Sequence, residues 1–204
     1  MEERKSKMSS KDTILSTLRK NVRETYDMPD LSFKKLTFDD PVAEFIKQVT
    51  TTAGAKLVEI KAGDDLNAKI REAYPDAKVI ASNLPGIDAQ KNPDEVAEAQ
   101  DLDGTDLGVI EGGVACAENA CVWIPMNMKQ KAICFISEFL VIIVSKKNIV
   151  SNMHDAYKAL EQMGETSKYG FGTFISGPSK TADIEQSLVY GAQAACGVTI
   201  FLTE

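Results

Sequence analysis

Residues 139–144 read FLVIIV, six apolar side chains in a row. The run has the length of a strand. Successive strand side chains point to opposite faces, so both faces of this strand need cover. That requirement selects a parallel sheet between helices over an antiparallel sheet with one wet face. The rest of the chain follows the same grammar. Short apolar runs at 56–60 (KLVEI), 78–82 (KVIAS), 107–110, 172–176 and 198–202 (VTIFL) read as strands. Between them, helical spacing predicts helices from Asp40-Pro41 to Gly54 and over 64–73, 93–100, 148–163 and 181–195. In the first of these, Val42, Phe45, Ile46 and Val49 form the apolar stripe; in the last, Ile184, Leu188, Ala192 and Ala195 do. The expected class is α/β: a doubly wound, mostly parallel sheet with helices on both faces and a small β-hairpin element.

The chain has 204 residues, enough for one domain with a sizeable core. We expect residues 1–32 to form an N-terminal tail and helix and residues 33–204 a single α/β domain. In the first segment Ile14, Leu15, Leu18 and Val22 recur at helical spacing behind a Ser9 or Ser10 cap. The formal net charge is −7, which repels nucleic-acid phosphates. The basic residues Arg4, Lys5, Lys7 and Lys11 share their tail with Glu2 and Glu3 and with no aromatic side chain. No apolar leader opens the chain. The most apolar stretch, residues 132–144, is too short to span a bilayer and carries Glu138. The expectation is therefore a cytoplasmic protein with no membrane or nucleic-acid partner. The cysteines Cys116, Cys121, Cys134 and Cys196 contain no C-x-x-C pair, so neither a metal site nor a cofactor is expected.

Residues 114–124 (VACAENACVWI) interrupt the alternation. Two small apolar runs flank Glu118-Asn119, which predicts a hairpin with those two residues at its tip. In that register Ala117 faces Ala120 and Cys116 faces Cys121, the latter as a non-hydrogen-bonded pair. Two small residues filling a sheet face, or a strained reversible disulfide, are both compatible with it. Glu118 is the candidate catalytic carboxylate, as nucleophile or general base, or it is a solvated turn residue. His154, on the expected 148–163 helix, reads as an exposed helical residue.

Residues 172–185 (GTFISGPSKTADIE) bring a strand into a Gly-Pro loop and then into the expected 181–195 helix. Amides at a helix N-terminus attract anions. Ser176, Gly177, Ser179, Lys180 and Thr181 surround that point, and Asp183 can orient Lys180 from three residues on. The spacing from Gly172 to Gly177 is that of a phosphate-binding loop, but Pro178 stands where such a loop needs Lys, which excludes nucleotide hydrolysis. A carboxylate or phosphate ligand and ordinary capping by Ser179 or Thr181 are equally compatible with this stretch.

The stretch ISGPSKTADIE (175–185), followed by Leu188, Gly191 and a terminal apolar strand, resembles the signature of the LUD (lactate utilization) domain family. Residues 108–124 resemble that family's strand and hairpin, where Ala-Glu-Thr-Gly-Thr is usual. Ala117 and Glu118 match it; Asn119, Ala120 and Cys121 depart from it. Two further departures are Gln193-Ala194-Ala195-Cys196-Gly197, where a His-Gly-Pro turn is common, and residues 131–139, which lack a usual Leu-Pro and His pattern. The resemblance runs from about Phe33 onward. It implies a fold like the sugar-phosphate isomerase and CoA-transferase group. It also implies a part in oxidising L-lactate to pyruvate beside iron–sulfur partner proteins, with a small carboxylate or phosphorylated ligand near Asn119, Ser176, Gly177, Ser179, Lys180, Thr181 and Asp183. Two other readings stand beside it. One is a CoA-transferase-like enzyme with Glu118 as nucleophile, because Ala-Glu-Asn-Ala is similar to the Ser-Glu-Asn-Gly around that group's nucleophilic Glu. The other is a non-catalytic regulatory or scaffolding protein with a relict pocket, whose partner face would surround Trp123 and residues 126–128, with core packing of Trp123 and Met126 as the alternative to that face.

Overall fold

In the computed structural model, which describes residues 9–22, 24, 26–30, 34–164, 171–184 and 186–204, the FLVIIV run lies at the centre of a five-stranded sheet. Its strands are β1 (Lys56–Ile60), β2 (Ile80–Ala81), β3 (Leu107–Glu111), β6 (Phe139–Ser145) and β11 (Gly197–Thr203). Their order is β1-β11-β6-β3-β2, and every pair is parallel. Val141 of β6 sits between Val109 of β3 and Thr199 of β11.

Both faces of β6 are covered, as its composition requires. Leu140, Ile142 and Val144 share one core cluster with Phe45 and Val49 and with Val122 and Ile124. The short helix α4 (Ile133–Ile136) adds Ile133 and Cys134 to it. Val141 points the other way, into a cluster with Ile60, Ile70, Leu107, Val109 and Phe201. Helix α2 (Pro41–Gln48) starts where Asp40 Oδ1 accepts the Ala43 N–H at 2.9 Å and Pro41 opens the first turn. It continues as a π-helical turn over Val49–Ala53 and stops at Gly54, whose φ of 70° is left-handed. Helix α3 (Leu66–Ala73) covers the opposite face and is capped by Asp65 Oδ1, which accepts the N–H groups of Asn67 and Ala68.

A second sheet has the order β7-β4-β5-β8, made of β4 (Ala115–Cys116), β5 (Cys121–Ile124), β7 (Ile149–Val150) and β8 (Thr173–Ile175). Its side chains alternate. Ala115, Val122 and Ile124 join the core under the central sheet. Val114, Cys116, Cys121 and Trp123 face Ala156 and Leu160 of α5 (Met153–Gln162) instead. The chain crosses between sheets at Gly112-Gly113. Gly112 N–H donates to Ile143 O and Gly113 N–H to Trp123 O, both at 2.8 Å. This crossing leaves no room for a side chain: a Cβ on Gly112 would lie 2.5 Å from Val122 Cγ1 and 2.9 Å from Ile142 Cγ2.

The chain divides into two compact units, Met1–Lys34 and Lys35–Glu204. The first contains α1 (Ser10–Asn21), N-capped by Ser9, whose Oγ accepts the Asp12 N–H. No residue of α1 is buried.

Three expected helices are corrected. Over 93–100 only a 3-10 turn at Ala99–Leu102 forms. Asp94 there accepts from Lys129 N–H and Asn83 Nδ2, and Asn92 Oδ1 takes the Asp94 amide, so side chains compete for the backbone. The 148–163 helix begins only at Met153, because Ile149 and Val150 pair with β4 and Asn152 Oδ1 caps α5 at the Asp155 N–H. The 181–195 helix is absent. In its place β9 (Lys180–Thr181) and β10 (Val189–Tyr190) form an antiparallel hairpin. Thr181 Oγ1 takes the Asp183 N–H, and Gly191, with φ 78°, donates to Ser179 O. Ile184 and Leu188 remain 49% and 58% exposed, and a short helix without a buried face does not persist. Glu185 of the quoted motif lies outside the described residues. The apolar partner face around Trp123 and residues 126–128 is corrected too: Trp123, Met126 and Met128 are core residues at 8%, 2% and 3% exposure.

Gly112→Ala is expected to destabilise the protein by about 1–3 kcal/mol through overpacking. Urea unfolding should show a lower midpoint at unchanged slope. An unchanged midpoint would mean the two sheets do not meet as closely as described.

Candidate functional site

The hairpin tip is a four-residue turn over 117–120. Ala120, at φ 54°, supplies the left-handed residue rather than Asn119. The longer turn shifts the ladder parity. Ala117 N–H donates to Val150 O on one side and Trp123 N–H to Val114 O on the other. Cys116 and Cys121 pair as expected, but in the hydrogen-bonded position and not the non-hydrogen-bonded one. Both thiols are free and buried beneath α5. Cys121 Sγ lies 3.4 Å from Met153 Sδ. Hydrogen bonding between the two thiols draws the Cys116 value down and pushes that of Cys121 up. Burial raises Cys134 to about 12, and Cys196 is exposed.

Glu118 is committed to the scaffold. One carboxylate oxygen accepts the Met153 N–H at 3.0 Å, at the first turn of α5, while its own N–H donates to Ser151 O. An anion there is stabilised by unpaired amides and by the helix dipole. The same bonds reduce its readiness to attack an acyl group. His154 is exposed on α5.

Two motifs far apart in sequence meet at this tip. Strand β8 pairs with β5, so the chain leaves β8 beside the turn. Ser176 Oγ donates to Asn119 O at 2.7 Å, and Asn119 Oδ1 takes the Cys121 N–H. Gly177 follows at φ 70°, and a Cβ there would lie 2.2 Å from Ala53 O. Only glycine allows the loop this close to the end of α2 and its π turn. Lys180 Nζ donates to the same Ala53 O at 2.5 Å. Ser179 N–H is bound to Ala195 O. The loop is therefore held by the α2 end and the hairpin. The helix N-terminus expected to bind an anion does not exist. Lys180 turns to Ala53 rather than to Asp183, and Thr181 and Asp183 stand on the β9–β10 hairpin.

Beside the loop opens a cavity of about 390 Å³. Gly177, Pro178, Ser179 and Lys180 form its polar side. Phe135, Leu140, Phe174, Ile175 and Val198 form its apolar side, and Gln193, Ala194, Ala195 and Cys134 complete it. Among the described residues, Lys180 is the one formally charged residue in this lining. Sequence reasoning reaches the loop but misses Ala53 O and the apolar wall. Gly54, a visible helix stop, is the available signal for the first.

Glu118→Ala should cost about 1 kcal/mol, the usual loss of an acceptor at a helix start, read as a lower urea midpoint. No change would mean the Met153 amide bond contributes nothing. Under native conditions a thiol reagent should label Cys196 rapidly and the other three cysteines only after unfolding. Rapid native labelling of two or more thiols would contradict the burial of the Cys116–Cys121 pair.

Three relatives set this geometry in context. A lactate utilization protein C from Shouchella clausii is 28% identical, across 57% of this chain and 53% of its own length. One from Macrococcus caseolyticus is 26% identical across 96% of both chains. The match thus spans about half of the first relative and nearly all of the second. The crystal structure of a DUF162 family protein from Deinococcus radiodurans superposes with a TM-score of 0.62, covering 83% of this chain and 100% of that one at 15% identity. The shared architecture is the α/β fold. The LUD domain model matches residues 87–202, from the loop after β2 to the last strand and across both motifs that meet at Asn119 and Ser176, and the chain belongs to the LUD domain family.

Proposed function

We propose that this chain is a component of lactate utilization, taking part in the oxidation of L-lactate to pyruvate and binding a small carboxylate or phosphorylated anion beside residues 176–180. The observation that carries the reading is the Ser176–Asn119 contact. It joins the two family motifs one residue before the loop at 177–180 that lines the cavity, where Lys180 is the single cation among the described lining residues. On a chain of net charge −7, a lysine with no acid among its fellow lining residues favours an anion. The names of the relatives supply lactate utilization as the process.

Oxidising lactate to pyruvate releases two electrons and two protons. In this reading the electrons pass to separate iron–sulfur partner proteins, as the family resemblance implies, and the chain works in the cytoplasm. No helix among the described residues is long and apolar enough to cross a membrane. Glu118 stabilises α5 and holds the tip that carries Asn119; its amide bond to Met153 disfavours the transferase reading.

A thermal-shift series with lactate, pyruvate, phosphate and acetyl-CoA tests this. Ligand at one hundred times its dissociation constant stabilises a fold by about 2.7 kcal/mol. Lactate or pyruvate should raise the melting temperature, Lys180→Ala should abolish the rise, and Asp183→Ala should leave it intact. A rise with acetyl-CoA alone would instead support Glu118 as a nucleophile. No rise with any of the four would sink the reading.

A further inference from the structure

The cavity beside residues 177–180 is larger and more apolar than a three-carbon acid needs. Its volume of about 390 Å³ equals roughly a dozen waters at about 30 Å³ each. Lactate, with six heavy atoms, displaces only about three of them. Cavities of a few hundred cubic ångströms with an apolar lining and few polar groups suit larger ligands. The polar side chains in the lining are Ser179, Lys180 and Gln193. Its apolar side chains are Phe135, Phe174 and Ile175, which keep surface open to water, and Leu140 and Val198, which at 1% and 2% exposure do not. Phe135 is 46% exposed, a large aromatic face left open at the cavity. A three-carbon acid held by Lys180 would leave water against Phe135, Phe174 and Ile175, and burying such surface is the main source of binding energy for an apolar ligand part.

We propose that this cavity accepts an amphiphilic acid, whose carboxylate meets Lys180 and Ser179 and whose apolar tail or ring of roughly six to eight carbons lies along Phe135, Phe174 and Ile175. The proposal rests on the anion site of the preceding section and specifies its ligand class. Cationic and neutral ligands of the same size are disfavoured. The former meets a lysine and no acid in the lining; the latter leaves Lys180 without a counter-charge.

Isothermal titration of the full chain with lactate, 2-hydroxyoctanoate, 3-phenyllactate and 1-octanol tests it. Each fully buried methylene contributes about fourfold in affinity. 2-Hydroxyoctanoate, with five more methylenes than lactate, should therefore bind at least thirtyfold tighter than lactate even when partly buried, and phenyllactate at least tenfold tighter. Octanol should bind no better than lactate. Ala194→Phe places a ring in the cavity from a half-buried position. It should remove the tail's advantage while the melting temperature of the unliganded protein stays near wild type. Lactate binding without any gain from a tail overturns this proposal and leaves the anion site standing. Binding of the long acids alone supports it and removes lactate as the ligand. Octanol binding as tightly as 2-hydroxyoctanoate, a tail advantage that survives Ala194→Phe, or no binding by any acid overturns it.

Discussion

Strand β6 has no face that can meet water, and the layout of the domain follows from satisfying it. Its odd and even side chains enter two separate cores. One is closed by α3. The other would be too wide for α2 alone, and the second sheet fills the remainder with Ala115, Val122 and Ile124. That sheet is in turn half-apolar on its far side, so α5 must cover Cys116, Cys121 and Trp123. Each layer is thus called for by the unburied surface of the layer beneath it, as the burial of apolar area requires. The glycines at 112–113 let the layers approach closely: any side chain at 112 would push the two sheets apart at the point where the chain crosses between them.

What the sequence discloses and what it hides divide along the same physical line. Strands flanked on both faces announce themselves, because burial alone dictates their composition; 56–60 and 139–144 are legible within a residue. Caps are legible too, since Asp40, Asp65 and Gly54 act within one turn of themselves. The 181–195 segment misleads because its apolar residues have helical spacing while its backbone partners lie elsewhere. Ser179 is bound at both its amide and its carbonyl, to Ala195 and Gly191, before any helix could begin. Helical periodicity shows which positions could share a face, and it takes a partner surface to make the helix worth forming. Ile184 and Leu188 remain exposed instead.

The candidate site shows a related asymmetry. The residue types at Glu118, Asn119, Ser176 and Lys180 suggest chemistry, and the structure first gives each a mechanical task. Glu118 holds the start of α5, Asn119 ties the turn, Ser176 joins two motifs and Lys180 closes the end of the α2 region. Short local rules cannot foresee these bonds, because the partners of Glu118, Ser176 and Lys180 lie 35, 57 and 127 residues away. A loop so fastened would lose little conformational freedom on binding the proposed ligand, which then would not have to supply the energy of ordering it.

Lys180 shows why mechanical and chemical tasks are compatible in one side chain. Carbonyls at the end of a helical segment carry excess negative charge, which repels any anion brought near them. Lys180 answers that charge at Ala53 O with one of three ammonium donors. The remaining donors can then face the cavity with their charge only partly spent, since a helix end is equivalent to about half an elementary charge. Were the proposed anion bound, removing the lysine would do more than delete a contact: it would leave the Ala53 carbonyl uncompensated beside that anion. The Gly177 contact enforces this arrangement by bringing the loop against the same oxygen, so loop, lysine and helix end hold together as one unit.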